Sequence, residues 1–134
     1  MGGVKRALYR FTRKVLWNRT GIELFPNVAD SGLWISHGKI VVSASAKIGK
    51  NCKILSDVTI GGQGRYDRPG APTIGDRVFI SSGARIIGPI SIANDVVIGA
   101  NAVVVKDITE PGITVGGIPA KKISDTDSYH FLNR

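Results

Sequence analysis

His37 is the residue whose type and setting most plainly invite chemistry. It stands in the stretch GLWISHGKIVV, Gly32 to Val42, in strand-like alternation with Leu33 and Ile35, and a glycine follows it at once. Three roles are open to such a residue: packed polar side chain, metal ligand, or base of a catalytic site. Metal ligation fails on inventory. A catalytic zinc takes three protein ligands. The only other histidine is His130, in the tail, and Cys52 is the only cysteine. Between a structural and a catalytic histidine the residue alone does not choose.

The elements that must position His37 are written in a repeat. Ile74, Ile80, Ile86, Ile92, Ile98 and Val104 stand six residues apart, as do Val42, Ile48, Ile54 and Ile60. In an earlier phase so do Ile22, Val28, Trp34 and Ile40. The next position is often small, as at Gly49, Gly61, Gly75, Ser81, Ala93 and Gly99. Four residues after an aliphatic comes another small or branched residue: Ala46, Cys52, Val58, Val78, Ala84, Val96, Ala102. A period of six is neither helical nor a long strand alternation. It predicts short strands joined by turns, each sending one large aliphatic inward, and units so small must stack as a solenoid. The 17 glycines and the 7% aromatic content suit short strands, tight turns and an Ile/Val core.

The repeat is interrupted twice. Its phase slips by two residues between Ile40 and Val42, just after His37. Ile60 and Ile74 are 14 residues apart, two more than two hexads need. The intervening GGQGRYDRPGAPT, Gly61 to Thr73, is a protruding loop by its glycines and prolines. Such loops on a rigid scaffold commonly carry function.

Outside the repeat lie two terminal segments. Residues 1–20 form a basic amphipathic helix with Val4, Ala7, Leu8, Phe11 and Val15 on one face, ended at Thr20 and Gly21. This segment carries Lys5, Arg6, Arg10, Arg13, Lys14 and Arg19 and no acid, so most of the net charge of +8 belongs to it. The expectation is that its apolar face caps the open end of the solenoid. The other reading lays it on an anionic membrane surface with Phe11 and Trp17 at the interface. Residues 124–134 have no clear period and read as a partly disordered tail.

Composition bounds the rest. No apolar run reaches the length of a transmembrane helix, and no secretory leader is expected. One cysteine allows no intrachain disulfide and fits the cytoplasm. The basic segment carries no nucleic-acid-binding motif, so no nucleic acid is expected as partner.

The hexads, with VTIGGQG, IGDRVFISSGARIIGPI, VVIGANAVVVKDI and TVGGIPAKKI, resemble the hexapeptide-repeat acyltransferases, and among them the serine O-acetyltransferase branch. The likeness runs from about Gly21 to Ile123. It implies an all-β fold, a left-handed parallel β-helix with three hexads per coil and a short N-terminal helix. It further implies a homotrimer with sites between neighbouring subunits, and acetyl-CoA as donor. The family's general base is a histidine in a DHG-like segment, and SHG puts His37 there. The family's orienting acid lies in a DIHP-like segment, and ELFP puts Glu23 there, one methylene longer. Three departures stand out: Ser36 replaces the acid before the histidine, Gly70-Ala71-Pro72 replaces an RHP segment that helps hold the amino-acid acceptor, and the long N-terminal domain is cut to about twenty residues. They point away from serine. The expected activity is O-acetylation of a sugar hydroxyl in bacterial surface polysaccharide biosynthesis, in the cytoplasm or at the inner face of the membrane. The alternatives are O-acetylation of serine or another small molecule, and a non-catalytic trimeric scaffold.

The resemblance gives His37, Glu23 and the donor-binding segments their roles, and residue chemistry gives those of the other candidates. His37 takes the acceptor hydroxyl's proton as the oxygen attacks the thioester, with Glu23 on the other ring nitrogen fixing the tautomer. The glycines at Gly61–Gly64 bring backbone N–H groups to the developing oxyanion, Gly62 among them on the donor side. The residues themselves leave two readings of the loop: Arg65, Tyr66 and Arg68 contact the acceptor, two arginines suiting an anionic one, or the loop is a mobile, solvated connector. Ser82, Ala100 and Pro119 belong to segments that bind CoA in the family, small residues letting pantetheine lie close. Lys106, Lys121 or Lys122 would meet nucleotide phosphates as mobile point charges. Cys52 is core filler.

Overall fold

Each side of a coil in this chain has two inward places, two residues apart, and the sequence fills them alternately with a small and a large residue. In a computed structural model, which describes residues 2–132, these pairs are Ala46/Ile48, Cys52/Ile54, Val58/Ile60, Val78/Ile80, Ala84/Ile86, Val96/Ile98 and Ala102/Val104, all buried. Stacked over successive coils they form one continuous core.

The coils wind as a left-handed parallel β-helix of three walls. The first wall contains β1 (Ile22–Glu23), β3 (Ile40–Val42), β6 (Val58–Gly61), β9 (Arg85–Ile87) and β12 (Val103–Val104). The second contains β4 (Lys47–Ile48), β7 (Thr73–Ile74) and β10 (Ser91–Ile92). The third contains β2 (Trp34–Ile35), β5 (Lys53–Ile54), β8 (Phe79–Ile80), β11 (Val97–Ile98) and β13 (Thr114–Gly116), finished by the antiparallel β14 (Lys121–Ser124). From the second wall to the third, and from the third to the first, the backbone turns through left-handed residues. Asn51, Asp57, Asp95 and Asn101 hold φ of 55 to 62°, conformations that Asn and Asp tolerate better than other non-glycine residues. Arg77 is the exception, at φ 52°. Its guanidinium is fastened to the Asp95 carboxylate one coil on, Nε to Oδ1 at 2.6 Å.

The register resolves both interruptions. Ile35 pairs with Ile54 and Ile40 with Val58, so the turn from third to first wall takes five residues in the first coil and four in the next. One residue is therefore inserted at the His37 corner. Ile40 and Val42 are both inward, and the apparent two-residue slip is a change in which inward place carries the repeat's aliphatic. Trp34 does not belong to the inward series. It pairs with Lys53 on the outer face, 39% exposed, and Ile35 takes the inner place beside Ile54. The second interruption is also a single corner. Val42 to Ile48 and Ile86 to Ile92 take six residues where Ile60 to Ile74 takes 14, so the loop is an eight-residue insertion into one turn, not a coil segment with two extra residues.

The N-terminal helix α1 (Gly3–Thr20) does not cap the solenoid with its apolar face. None of its residues is buried, and Val4, Leu8 and Phe11 are 84, 62 and 67% exposed. It is held by its other side: Trp17 packs edge-on against Phe25, ring centroids 5.1 Å apart, and the Arg13 guanidinium lies over both rings. Trp17 is thus engaged with the protein body. Gly21, at φ 71°, closes the helix with its N–H on the Trp17 carbonyl.

The tail, expected to lack order, is built onto the third wall as far as it is described; Asn133 and Arg134 lie outside the described residues. Ser128 is fully buried, its Oγ donating to the Arg77 carbonyl and its N–H to the Asp95 carbonyl at 3.1 Å. In the short helix α2 (Tyr129–Leu132), Phe131 stacks on Phe79 at 4.8 Å. This strap covers Phe79, which points outward from its strand and is buried.

Two outcomes follow for the core. Ile86→Ala, at a fully buried place in the middle of the first wall, should cost about 2–5 kcal/mol in urea unfolding. The Cys52 thiol is pushed up from 9.0 to about 11, chiefly by burial. Its raised value means the fold keeps this contribution below pH 9 and loses it as pH climbs toward 11, by about 3 kcal/mol at most. The stability difference between the wild type and Cys52→Ala should therefore shrink from pH 8 to pH 10.5; an unchanged difference would contradict the burial argument.

Candidate active site

His37 lies at the third-to-first-wall corner, two residues past the inward Ile35. The same place in later coils is taken by Ser56, Ser82, Ala100 and Gly117, two residues past Ile54, Ile80, Ile98 and Val115. One edge of the prism therefore runs from an imidazole over four small residues. At the strand spacing it is roughly 19 Å long. Ser56 Oγ and Ser82 Oγ are joined at 3.2 Å, and Asn101 N–H bonds the Ser82 carbonyl. The sequence reading placed Ser82 and Ala100 among donor-binding residues and passed over Ser56; the signal was its place two residues past Ile54.

The corner geometry fixes how closely these coils stack. Gly38, beside His37, has φ 83°, and a Cβ there would come within 3.0 Å of Ser56 Cβ. Gly83, beside Ser82, has φ 79°, and a Cβ would lie 2.0 Å from Asn101 Oδ1. Both sites need the left-handed conformation and the missing side chain together.

The His37 ring is exposed, and Nδ1 shares a 2.7 Å hydrogen bond with Ser36 Oγ. With its proton on Nδ1 donated to that oxygen, the ring keeps a free lone pair on Nε2, the form a base requires. Glu23, expected on this nitrogen, is half-buried on the outer side of β1, in register with Val41, and makes no hydrogen bond to the ring among the described residues. Arg85 is a feature the sequence reading did not single out. From the outer face of the first wall it reaches back to the same edge, donating to the carbonyl of Asp57 and pairing with its carboxylate at 3.2 Å.

The remaining candidates divide between two edges. Pro119 lies two residues past Gly117, after Ile118, and the Gly117–Ala120 turn packs on β12 through Val103 N–H to Gly117 O and Ala120 N–H to Val103 O. Lys121 is exposed at the start of β14, while Lys122 is held by Glu110 at 2.7 Å and Asp125 at 2.6 Å. Gly62 and Lys106 lie instead at the first-to-second-wall corner, two residues past Ile60 and Val104. The loop is pinched at its base, since a Cβ on Gly62 would meet the Gly70 carbonyl oxygen at 2.8 Å. At its tip Arg65 is tied to Asp67 at 2.5 Å, while Tyr66 is fully exposed and Arg68 makes no ion pair among the described residues. Within one chain, then, the His37 edge and the loop edge stand on opposite sides of the first wall. Among the described residues no group of three or more His, Cys, Asp or Glu side chains is placed to hold a metal, and no helix is long and apolar enough to cross a membrane.

Gly83→Ala should lower stability by about 1–3 kcal/mol in thermal unfolding, because strain and clash coincide there. Gly61→Ala, with nothing within 4 Å of the added carbon, should change it by no more than about 0.5 kcal/mol. Equal losses at both would mean that stacking does not control this edge.

Comparison with known proteins now bears on the chemistry. The family described as bacterial transferase hexapeptide (six repeats) matches residues 71–106. A serine acetyltransferase of Helicobacter pylori strain 26695 is 39% identical over 123 residues, which are 90% of this chain and 69% of that protein. A crystal structure of Neisseria gonorrhoeae serine acetyltransferase in complex with serine superposes with a TM-score of 0.77 at 35% identity, covering 90% of this chain and 49% of that one. Another, serine acetyltransferase in complex with coenzyme A from Brucella abortus strain S19, gives 0.66 at 36% identity, covering 74% and 40%. The chain spans about half the length of many of the curated relatives it matches. These findings overturn the expected sugar acceptor, because the relatives are serine acetyltransferases. The departures at Ser36 and Gly70–Pro72 remove contacts without specifying new ones, and likeness over nine tenths of the chain outweighs them.

Proposed function

Because the chain belongs to the hexapeptide-repeat acyltransferases, with relatives named serine acetyltransferases, we propose that it transfers an acetyl group from acetyl-CoA to the hydroxyl of serine or a similarly small acceptor. The observation that carries this reading is the edge on which His37 stands at the foot of Ser56, Ser82, Ala100 and Gly117. Small side chains there leave room for an extended pantetheine arm lying against the backbone, its thioester toward the imidazole. Pro119 borders the far end of that edge, and Lys121, exposed just beyond it, meets the nucleotide's phosphates.

The chemistry follows from the ring's orientation. His37 Nε2 takes the acceptor hydroxyl's proton as its oxygen adds to the thioester carbonyl. The tetrahedral intermediate collapses, the C–S bond breaks, and the imidazolium returns the proton to the departing sulfur, leaving the O-acetyl product and CoA. Ser36 Oγ holds Nδ1–H through both steps. A serine hydroxyl orients the ring without adding a negative charge, so Glu23 on the adjacent wall contributes less than the base itself.

The protein acts as a homotrimer. Family members are typically trimeric, and the separation of the two edges in one chain supports that assembly here. A neighbour would bring its loop edge, with Gly62 and Lys106, across to the His37 edge. Arg68 then suits the carboxylate of an amino-acid acceptor, Arg65 being occupied by Asp67, with Tyr66 beside them.

The test is CoA release from acetyl-CoA with L-serine as acceptor. His37→Ala should reduce turnover by roughly 100- to 10,000-fold with an unchanged oligomer, and Glu23→Gln should cost less. A His37→Ala variant that keeps most of its activity removes the base, and a wild type that turns over no serine removes the acceptor.

A further inference from the structure

Helix α1 presents to its surroundings a face that the protein body does not use. At about 100° per residue, Val4, Leu8, Phe11 and Val15 fall within one narrow stripe, and Arg13 lies about half a turn away from Val4. Arg13 and Trp17 are the side that rests on Phe25. The stripe therefore looks away from the β-helix, which is why Val4, Leu8 and Phe11 are so exposed. Lys5, Lys14 and Arg19 flank it, Arg6 and Arg10 lie further round, and residues 1–20 contain no acid.

We propose that this face binds an anionic lipid bilayer, lying in the plane of the interface. The charge pattern selects that occupant. A second copy of the helix packed along the stripe would bring Lys5, Lys14 and Arg19 against the same cations, with no carboxylate on either helix to pair with them. A nucleic acid or acidic peptide would satisfy the cations and leave four apolar side chains in water. A bilayer with acidic headgroups takes both: the apolar stripe enters the headgroup–acyl boundary while the long flanking side chains reach up to phosphates. The remaining chain has twelve basic and ten acidic residues, so attraction to such a surface is focused on α1. Docking through Arg13 and Trp17 leaves the stripe free to insert without dismantling the helix's contact with Phe25.

The experiment is flotation of the full chain with phosphatidylcholine vesicles, with and without phosphatidylglycerol. The protein should float with the anionic vesicles at least tenfold more strongly than with neutral ones, and added salt should release it. Lys5→Glu with Lys14→Glu should weaken binding by roughly tenfold or more. Leu8→Asp with Phe11→Asp should abolish it while leaving the β-helix's circular dichroism unchanged. The proposal is overturned if the wild type stays unbound with anionic vesicles at low salt, or if Leu8→Asp with Phe11→Asp floats as well as wild type. It is overturned equally if those two substitutions split an oligomer, by light scattering, of a protein that binds no vesicles; the stripe would then belong to a second copy.

Discussion

Everything in this molecule depends on turning the chain through a sharp corner every six residues. A wall strand of two to four residues offers two inward places, and the core exists only because successive corners put those places in register. The corners leaving the second and third walls need a backbone conformation that most side chains resist, and the chain meets that need with Asn, Asp and Gly at Asn51, Asp57, Gly83, Asp95 and Asn101. Arg77 shows what another residue requires: a guanidinium fastened to the neighbouring coil's Asp95. The corners also define where chemistry is placed, because side chains just before the turn line up along an edge.

The functional residues follow from that constraint. The His37 corner has one residue more than the corner stacked on it, which lets an imidazole project where the later coils carry only small groups. Gly38 then allows the next coil to approach closely beneath it. The eight-residue insertion at the opposite edge is the one large departure from the six-residue turn, and it carries the arginines and tyrosine that a bare prism lacks. On the function proposed above, an active site that needs both edges is divided in a single chain, and catalysis would then require assembly.

Much of this was legible in the residues, for physical reasons. The large inward aliphatics recur because the core admits nothing else, and they announced the solenoid. The small inward partners, from Ala46 to Ala102, were visible as a second series. Trp34 misled, because an aromatic six residues from Val28 looks like part of the period, and only pairing with Lys53 reveals that it points outward. The loop's length was read against the wrong unit, since spacing cannot tell an enlarged corner from an added wall. The apolar stripe of helix α1 reads as a cap for the open end of the solenoid, whereas stacking of Arg13 on Trp17 and Phe25 turns that stripe outward. The acceptor was the least legible feature. Losing an acid at Ser36 and an arginine near Gly70 says which contacts are missing, and nothing about which substrate remains.

The proposed track of the donor is the edge that runs from His37 over Ser56, Ser82 and Ala100. A crystal structure of this chain with CoA bound tests it most directly. The sulfur should lie beside His37, with the pantetheine arm running along Ser56, Ser82 and Ala100 toward Pro119. A CoA lying along the Lys106 and loop edge of the chain, with its sulfur remote from every His37 in the assembly, would contradict it.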